Sequence, residues 1–322
     1  MGLKSPPDLR RHGRWQAAGA AAHCRLGRAR PVSRQAGGGK MAASGRMDSW
    51  PAPDGAPGVA LAAAANRECC RIARALADTR HRHTAIHRTR KAIRTLRALL
   101  GLLRASLHGA DRAQLQRIDA RLKRLCRSLS PLRDAHVAAL TAAALDATTP
   151  TAARDTLAVL LASQREAATQ AALLQDPGFM GRRHAISALR EAVADLPWAT
   201  LDARTARQAI ERSHRRAERA ARRAENSPTA LLRHRWRRRL RRLRLQLEAC
   251  DALAGAEDGG RAAKASARHA LKRQTDRLGR LQDVQLMCRL AHRLDAVRDD
   301  PHLRAALSAA LRRARRDFAA TR

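Results

Sequence analysis

The feature that most constrains this chain is a basic phrase that occurs twice. The first copy covers residues 87–97 and the second covers residues 234–244, which lies 147 positions later (234 − 87 = 147). Both copies have the form His-x-x-basic-basic-x-apolar-basic-x-Leu-Arg. Because an α-helix turns about 100° per residue, the cationic positions share one face and the apolar positions lie on the other side. The phrase therefore predicts an amphipathic helix with a cationic stripe, built in duplicate.

The two predicted stripes have no acidic residues to neutralise them. Residues 80–110 and residues 233–247 contain no Asp or Glu. A solvated helix face usually mixes both signs of charge and forms pairs one turn apart, so unmixed stripes favour a bound anion. The predicted ligand-facing residues are His87, Arg90, Lys91, Arg94 and Arg97 in the first stripe and His234, Arg237, Arg238, Arg241 and Arg244 in the second.

The correspondence between the two parts of the chain continues beyond the stripes. Leu-Lys-Arg at 122–124 matches Leu-Lys-Arg at 271–273, an offset of 149 (271 − 122 = 149). Leu-x-x-Leu-Arg-Asp at 129–134 matches Leu-x-x-Leu-Gln-Asp at 278–283 at the same offset. Several matches in one order predict two related helical halves, which could dock about a pseudo-twofold axis.

The second set of matches adds further candidate residues. The basic side chains are secondary candidates for anion binding: Lys123, Arg124, Lys272 and Arg273. Asp134 and Asp283 close the second motif, and as catalytic carboxylates they would need a partner acid or a metal. We expect both to be structural, each pairing with an arginine of its own half or capping the next helix.

The overall charge indicates the class of partner. The chain has 65 Lys and Arg against 28 Asp and Glu, a formal net charge of +37. Such an excess predicts a polyanionic partner, which could be nucleic acid, an anionic membrane surface or polyphosphate. Arginine predominates, and its planar fork of donors meets phosphate oxygens bidentately. The chain has two Phe, four Trp and no Tyr, which weakens the case for a protein that stacks single-stranded bases.

The order of segments indicates one helical domain after a different N-terminal segment. Residues 1–58 are rich in Gly, Ala, Arg and Pro, and we expect disorder, a targeting peptide, or a start codon placed too early, with Met41 or Met47 as the first residue. Residues 59–322 show helical spacing with sparse breakers and no strand pattern. We predict an all-α fold of antiparallel helices, with a first half at about 59–199 and a second at about 200–322.

Other signals are weak. The six cysteines form no Cys-x-x-Cys pair and are expected to be thiols of a reducing cytoplasm. The histidines at 81, 83 and 136 are expected to be polar surface groups rather than metal ligands, whereas His87 heads a stripe and could join a phosphate site. We predict no metal, no cofactor and no membrane span. The basic segment 207–223 is partly self-paired through Glu211, Glu218 and the following Glu225, so it is either a solvated face or part of a binding rim. No P-loop or catalytic motif is present.

These motifs resemble the CHAD family, the conserved histidine α-helical domains. The resemblance covers roughly residues 59–320 and rests on the two stripe phrases and on the two motifs ending at Asp134 and Asp283. It implies two pseudo-symmetric helical bundles around a basic groove or pore. It also implies binding of inorganic polyphosphate through the ten stripe residues, and association with polyphosphate granules in the bacterial cytoplasm.

Three functions are therefore weighed. The first is a non-enzymatic polyphosphate-binding module. The second is a non-specific nucleic-acid-binding protein, and weak nucleic-acid binding is expected from charge alone. The third, an enzyme of phosphate metabolism, is disfavoured because the stripes lack metal-binding carboxylates, so we predict no catalytic residues. The sequence does not indicate an oligomeric state.

Overall fold

The computed structural model describes residues 57–251 and 261–320, and the whole of this part is built from helices and short connections. The predicted N-terminal segment lies outside the described residues except for Pro57 and Gly58, which already belong to the first helix. The helices are α1 (Pro57–Ala77), α2 (Arg82–Leu103), α3 (Gly109–Ser128), α4 (Ser130–Ala143), α5 (Thr151–Gln175), α6 (Met180–Ala194), α7 (Ala203–Asn226), α8 (Ala230–Asp251), α9 (Arg261–Ala291), α10 (Asp295–Arg298) and α11 (Pro301–Ala320).

The helix boundaries follow from the breakers in the sequence. Pro131 lies in the first turn of α4 and Pro301 begins α11, where a missing backbone N–H costs nothing. Pro177 begins a short 3₁₀ turn before α6. Asp202 caps α7, because its carboxylate accepts a hydrogen bond of 2.6 Å from the backbone N–H of Thr205. The prediction of an all-α fold is confirmed.

The apolar side of the first stripe helix is buried as its period predicts. Ile93, Leu96, Leu100 and Leu103 of α2 are each at most 1% exposed. Burying one such side chain contributes about 1.5–3 kcal/mol, so this face anchors α2 firmly. The cationic side is thereby fixed in direction, because a helix cannot turn one face inward without turning the other outward.

The core consists of two clusters of buried side chains. The larger includes Leu61 of α1, Ile93 of α2 and Leu240 of α8. The smaller joins Leu157 of α5 to Met287 of α9 and Leu307 of α11. Each cluster therefore draws on both predicted halves of the chain. The boundary at residue 199 and the pseudo-twofold relation of the halves stay predictions.

The helices that carry the two stripes pack directly on each other. The buried Gln246 amide of α8 donates a 3.3 Å hydrogen bond to the carbonyl of Ala98 on α2. Helix α8 also packs on α7 and on α9, and α2 packs on α7. This arrangement places the two basic phrases side by side. None of the described helices is both long and apolar enough to span a membrane.

Candidate anion-binding site

A cavity of about 580 Å³ lies where α2, α7 and α8 meet. Four apolar residues contribute to its lining: Ala98, Ala220, Leu232 and Leu245. No acidic residue and no lysine lines it. The rest of its wall is arginine, contributed by all three helices: Arg94 and Arg97 from α2, Arg216, Arg219 and Arg223 from α7, and Arg235, Arg238, Arg239, Arg241 and Arg242 from α8.

The two predicted stripes meet in this cavity. The first stripe contributes Arg94 and Arg97, and the second contributes Arg238 and Arg241. The structure thus brings four of the ten predicted positions around one volume. Guanidinium groups that converge on one space can donate paired hydrogen bonds to several phosphate oxygens at once.

Crowding of charge is most pronounced at Arg94 and Arg241. Burial, followed by the charge of Arg90, lowers the pKa of Arg94 to about 10. Burial, followed by the charge of Arg94, lowers the pKa of Arg241 to about 9. Both side chains remain protonated at neutral pH, so the lowered pKa values express the cost of burying two charges that also repel each other. A bound anion would relieve that repulsion.

Arg97 is held by an acid that the sequence analysis did not place near the stripe. Its Nε donates a 2.6 Å hydrogen bond to Asp119 of α3, and Lys123 lies 2.8 Å from the other oxygen of the same carboxylate. The two cations lower the pKa of Asp119 against the opposing effect of its burial. Arg97 therefore lines the cavity with part of its charge already compensated.

Arg242 reaches the cavity past Gly101, whose lack of a side chain leaves a notch in the surface of α2. A Cβ atom on Gly101 would lie 1.9 Å from a terminal nitrogen of Arg242, so only glycine leaves room for the guanidinium there. Burial lowers the pKa of Arg242 to about 10; the charge of Arg97 acts in the same direction, and the attraction of Asp119 opposes both.

Two stripe arginines are anchored to the protein backbone instead of lining the cavity. Arg90 donates to the carbonyl of Cys126 and, at 3.0 Å, to Ser130 Oγ. Arg237 donates at 3.2 Å to the carbonyl of Thr275 and at 3.0 Å to Gln282 Oε1. The carbonyls at 126 and 275 are separated by the offset of the second repeat motif (275 − 126 = 149). Both side chains tie a stripe helix to the helix that follows.

Arg133, which the sequence analysis did not include among the site residues, lies at the centre of these charges. It contributes to the lowered pKa values of Arg94, Arg237 and Arg241. Its guanidinium bridges Asp134 at 2.9 Å and Asp283 at 3.0 Å. Asp134 thus pairs with an arginine of its own half, whereas Asp283 pairs with an arginine of the other half. The bridge joins α4 to α9.

The remaining stripe residues lie outside the cavity lining. His87 and Lys91 are exposed on α2, and Arg244 forms an ion pair with Glu248 one turn later. His234 is exposed, with Nδ1 3.4 Å from Gln282 Oε1. Although both side chains are exposed, partial desolvation of the ring, followed by the charge of Arg94, lowers the pKa of His87, and partial desolvation also lowers the pKa of His234. Both imidazoles are therefore neutral at pH 7.

The secondary candidates also lie outside the cavity. Lys123 pairs with Asp119, and Lys272 lies 3.4 Å from Asp276. Arg124 and Arg273 are exposed on α3 and α9. Cavity residues that the prediction missed come instead from α7 and from the other side of α8. The sequence does indicate these residues: the segment 207–223 is basic enough to form a binding rim, and α8 carries arginines on more than one face.

The histidines of α2 and α4 are arranged differently from the prediction of solvated surface groups. The rings of His83 and His136 stack in parallel, with centroids 4.7 Å apart, and both are partly buried. Within the described residues, no group of three or more His, Cys, Asp or Glu side chains is placed to hold a metal ion. Five cysteines in this part are free thiols, and burial raises the pKa of Cys69 and Cys250 to about 12.

Comparison with known proteins agrees with this architecture. The crystal structure of the CHAD domain from the plant Ricinus communis is similar, with a TM-score of 0.58 and 23% sequence identity, over 84% of this chain and 89% of that chain. At this identity the likeness shows the fold alone. No curated protein has significant sequence similarity to the chain. The family model of the CHAD domain matches residues 60–292, which is well over half of the sequence, and the chain therefore belongs to the CHAD domain family.

Proposed function

We propose that this protein is a non-enzymatic binder of inorganic polyphosphate, acting in the cytoplasm and on polyphosphate granules. The observation that carries the proposal is the convergence of Arg94 and Arg241, one from each stripe, on a cavity whose lining contains ten arginines and no acid. The family supports the same ligand, because CHAD domains resemble one another in these basic motifs and are associated with polyphosphate.

The chemistry of the ligand fits the chemistry of the site. Polyphosphate is a linear chain of phosphoryl groups with no base edges and no apolar part. Arginine forks recognise its oxygens bidentately, and many such contacts along one chain add up to affinity without sequence readout. Binding releases counterions from the ligand, so we expect the affinity to fall steeply as salt rises.

The direct experiment is a titration of the full chain with long-chain polyphosphate, in which isothermal calorimetry measures the affinity. The double variant Arg94→Glu/Arg241→Glu replaces two cations with two anions where the two stripes meet in the cavity. We expect its affinity to fall by at least about a hundredfold, since each lost charge-assisted contact is worth about 1.5–3 kcal/mol.

The matched control is Arg88→Glu/Arg222→Glu, which makes the same change in net charge at two exposed positions outside the cavity lining. We expect this control to lose much less affinity than the site variant. Equal losses in the two variants would mean that polyphosphate responds to overall charge and that the stripes form no site. Circular dichroism confirms that each variant keeps its helices, and Arg94→Gln/Arg241→Gln serves if the acidic variant does not fold.

Nucleic-acid binding is the second candidate, and it follows from the net charge of +37. The cavity offers no aromatic side chain on which a base could stack. We therefore expect duplex DNA to bind weakly and without sequence preference. We also expect no release of phosphate from polyphosphate in the presence of Mg²⁺ or Mn²⁺, which a colorimetric phosphate assay checks.

A further inference from the structure

Helix α7 forms a wall of the cavity that belongs to neither stripe. Arg216, Arg219 and Arg223 line the cavity at spacings of three and four residues, so they share one face of α7. The acids of the same helix do not line the cavity, and Glu218 lies 3.6 Å from His214 instead. Among the described residues, no carboxylate lies within ion-pair distance of these three arginines.

The opposite wall is equally basic. Helix α8 presents Arg235, Arg238, Arg239 and Arg242, which follow the same helical spacing along one face. Arg216 contributes to the lowered pKa values of Arg239 and Arg242, so charges of α7 and α8 act on each other across the space between the helices. The two facing rows of arginine have no acid in the lining, so their positive charges are not compensated and favour a bound anion.

The size of the space limits what can fill it. A volume of about 580 Å³ lies within the range of about 300–1,000 Å³ that is usual for pockets that enclose a small molecule. A long polymer bound here would extend beyond this space, whereas a compact oligophosphate could make all of its contacts within it. Arginine is the only polar residue type in the lining, so the ligand is recognised through its charged groups.

We propose that the cavity between α2, α7 and α8 is a site for compact oligophosphates, meaning small molecules that hold several phosphoryl groups close together, and that α7 determines this specificity. The proposal rests on the proposed function, because Arg94 and Arg241 belong to both sites. It goes further in assigning a ligand of limited size and a wall that long polyphosphate does not require.

The probes are inorganic tripolyphosphate, which is linear, and inositol hexakisphosphate, which carries its phosphates on a ring. Calorimetry and thermal unfolding of the full chain are measured at constant ionic strength, with sulfate as the reference anion. We expect at least one probe to bind at least about tenfold more tightly than sulfate and to raise Tm. Which probe binds tells whether the phosphoryl groups come from a linear chain or from a ring.

The variant that tests the wall is Arg216→Glu/Arg223→Glu. Its control is Arg215→Glu/Arg222→Glu, which has the same spacing on the same helix at exposed positions outside the lining. We expect the wall variant to weaken oligophosphate binding by at least about tenfold and long-chain polyphosphate by a smaller factor, while the control changes oligophosphate binding by less than about threefold. Arg216→Gln/Arg223→Gln repeats the test if the acidic variant does not fold.

Different outcomes separate this proposal from the proposed function. If long-chain polyphosphate binds but neither probe binds better than sulfate, the compact site is overturned and polyphosphate binding stands. If the wall and control variants lose equal affinity for the probes, α7 does not form the site. If the unaltered protein binds neither the probes nor long-chain polyphosphate, both proposals fail.

Discussion

At the scale of single residues, the guanidinium of Arg242 lies against Gly101, in space that a side chain at position 101 would occupy. The substitution Gly101→Ala places a methyl group in the position of the guanidinium, so Arg242 must move away from the cavity wall. Alanine favours the helix by about 1 kcal/mol over glycine, which offsets the cost of moving a flexible side chain. We expect the free energy of unfolding to change by less than about 1 kcal/mol and polyphosphate affinity to fall roughly threefold to tenfold.

A double-mutant cycle gives the control for this substitution. In an Arg242→Ala background the methyl group displaces nothing, so Gly101→Ala should no longer affect polyphosphate affinity. Calorimetry on the four proteins measures the coupling. If Gly101→Ala costs the same affinity with and without Arg242, the notch has no part in positioning that arginine.

The stripe residues differ in how well their environment could be predicted. Helical spacing was sufficient to place Arg94 on the cationic side of α2 and Arg241 on the cationic side of α8. It could not distinguish them from Arg90 and Arg237, because anchoring depends on carbonyls of α3 and α9 that come close only in the folded chain. The absence of nearby acids in sequence likewise did not reveal Asp119, which reaches Arg97 from another helix.

At the scale of helices, Arg133 joins α4 to α9 through Asp134 and Asp283. The substitution Asp283→Asn removes a partner that is 31% exposed and leaves Arg133 among Arg94, Arg237 and Arg241 with less compensation. We expect the free energy of unfolding to fall by about 1–2 kcal/mol, measured by urea denaturation. Asp295→Asn is the control, because that carboxylate is 77% exposed and its pairing with Arg298 should contribute less than about 0.5 kcal/mol. A result in which both variants lose equal stability would show that the α4–α9 bridge contributes nothing beyond a surface pair.

The stacked histidines at the contact of α2 and α4 predict a dependence of stability on pH. Burial, followed by the charges of His83 and Arg165, lowers the pKa of His136 to about 4, and burial lowers the pKa of His83. Because these folded-state pKa values lie below the ordinary 6.5, protonation favours the unfolded chain. Their contribution to stability is complete above about pH 6.5 and is lost as the pH falls toward 4.

The measurement is the urea midpoint at about pH 7.5 and about pH 5, a window in which Asp119 and the other carboxylates with lowered pKa values stay ionised. We expect the midpoint to fall at the lower pH, and to fall less in the variant His83→Gln/His136→Gln. His87 and His234 have lowered pKa values too, so part of the dependence should remain. An unchanged pH dependence in the variant would contradict this account of the stacked pair.

The helices themselves were largely predictable, and their assembly was not. Apolar spacing and the prolines located the helices, since Ile93 and Leu96 are buried and Pro131 lies in the first turn of α4. The role of α7 remained open, because its glutamates suggested a self-compensated face. Only its packing against α8 shows that Arg216 and Arg223 turn toward the cavity while Glu218 turns toward His214. That choice depends on the contacts of the whole helix and not on its local sequence.

At the scale of the whole molecule, the charge of +37 makes some affinity for any polyanion inevitable. What distinguishes the proposed function is a converging arginine site that recognises phosphate without bases. Both polyphosphate and DNA should bind less well as salt rises, but the non-specific interaction should weaken to micromolar affinity or below at physiological salt. The specific claim is therefore tested best where general electrostatic attraction is screened.

The most direct measurement is a competition experiment at about physiological ionic strength. Fluorescently labelled long-chain polyphosphate is bound to the full chain, and either unlabelled polyphosphate or duplex DNA is added to displace it. The two competitors are compared at equal concentrations of phosphate. We predict that unlabelled polyphosphate displaces the label at a concentration at least about a hundredfold lower than duplex DNA, and that Arg94→Glu/Arg241→Glu narrows this ratio to less than about tenfold. Equal displacement by DNA and polyphosphate in the unaltered protein would contradict the account and leave only a general affinity for polyanions.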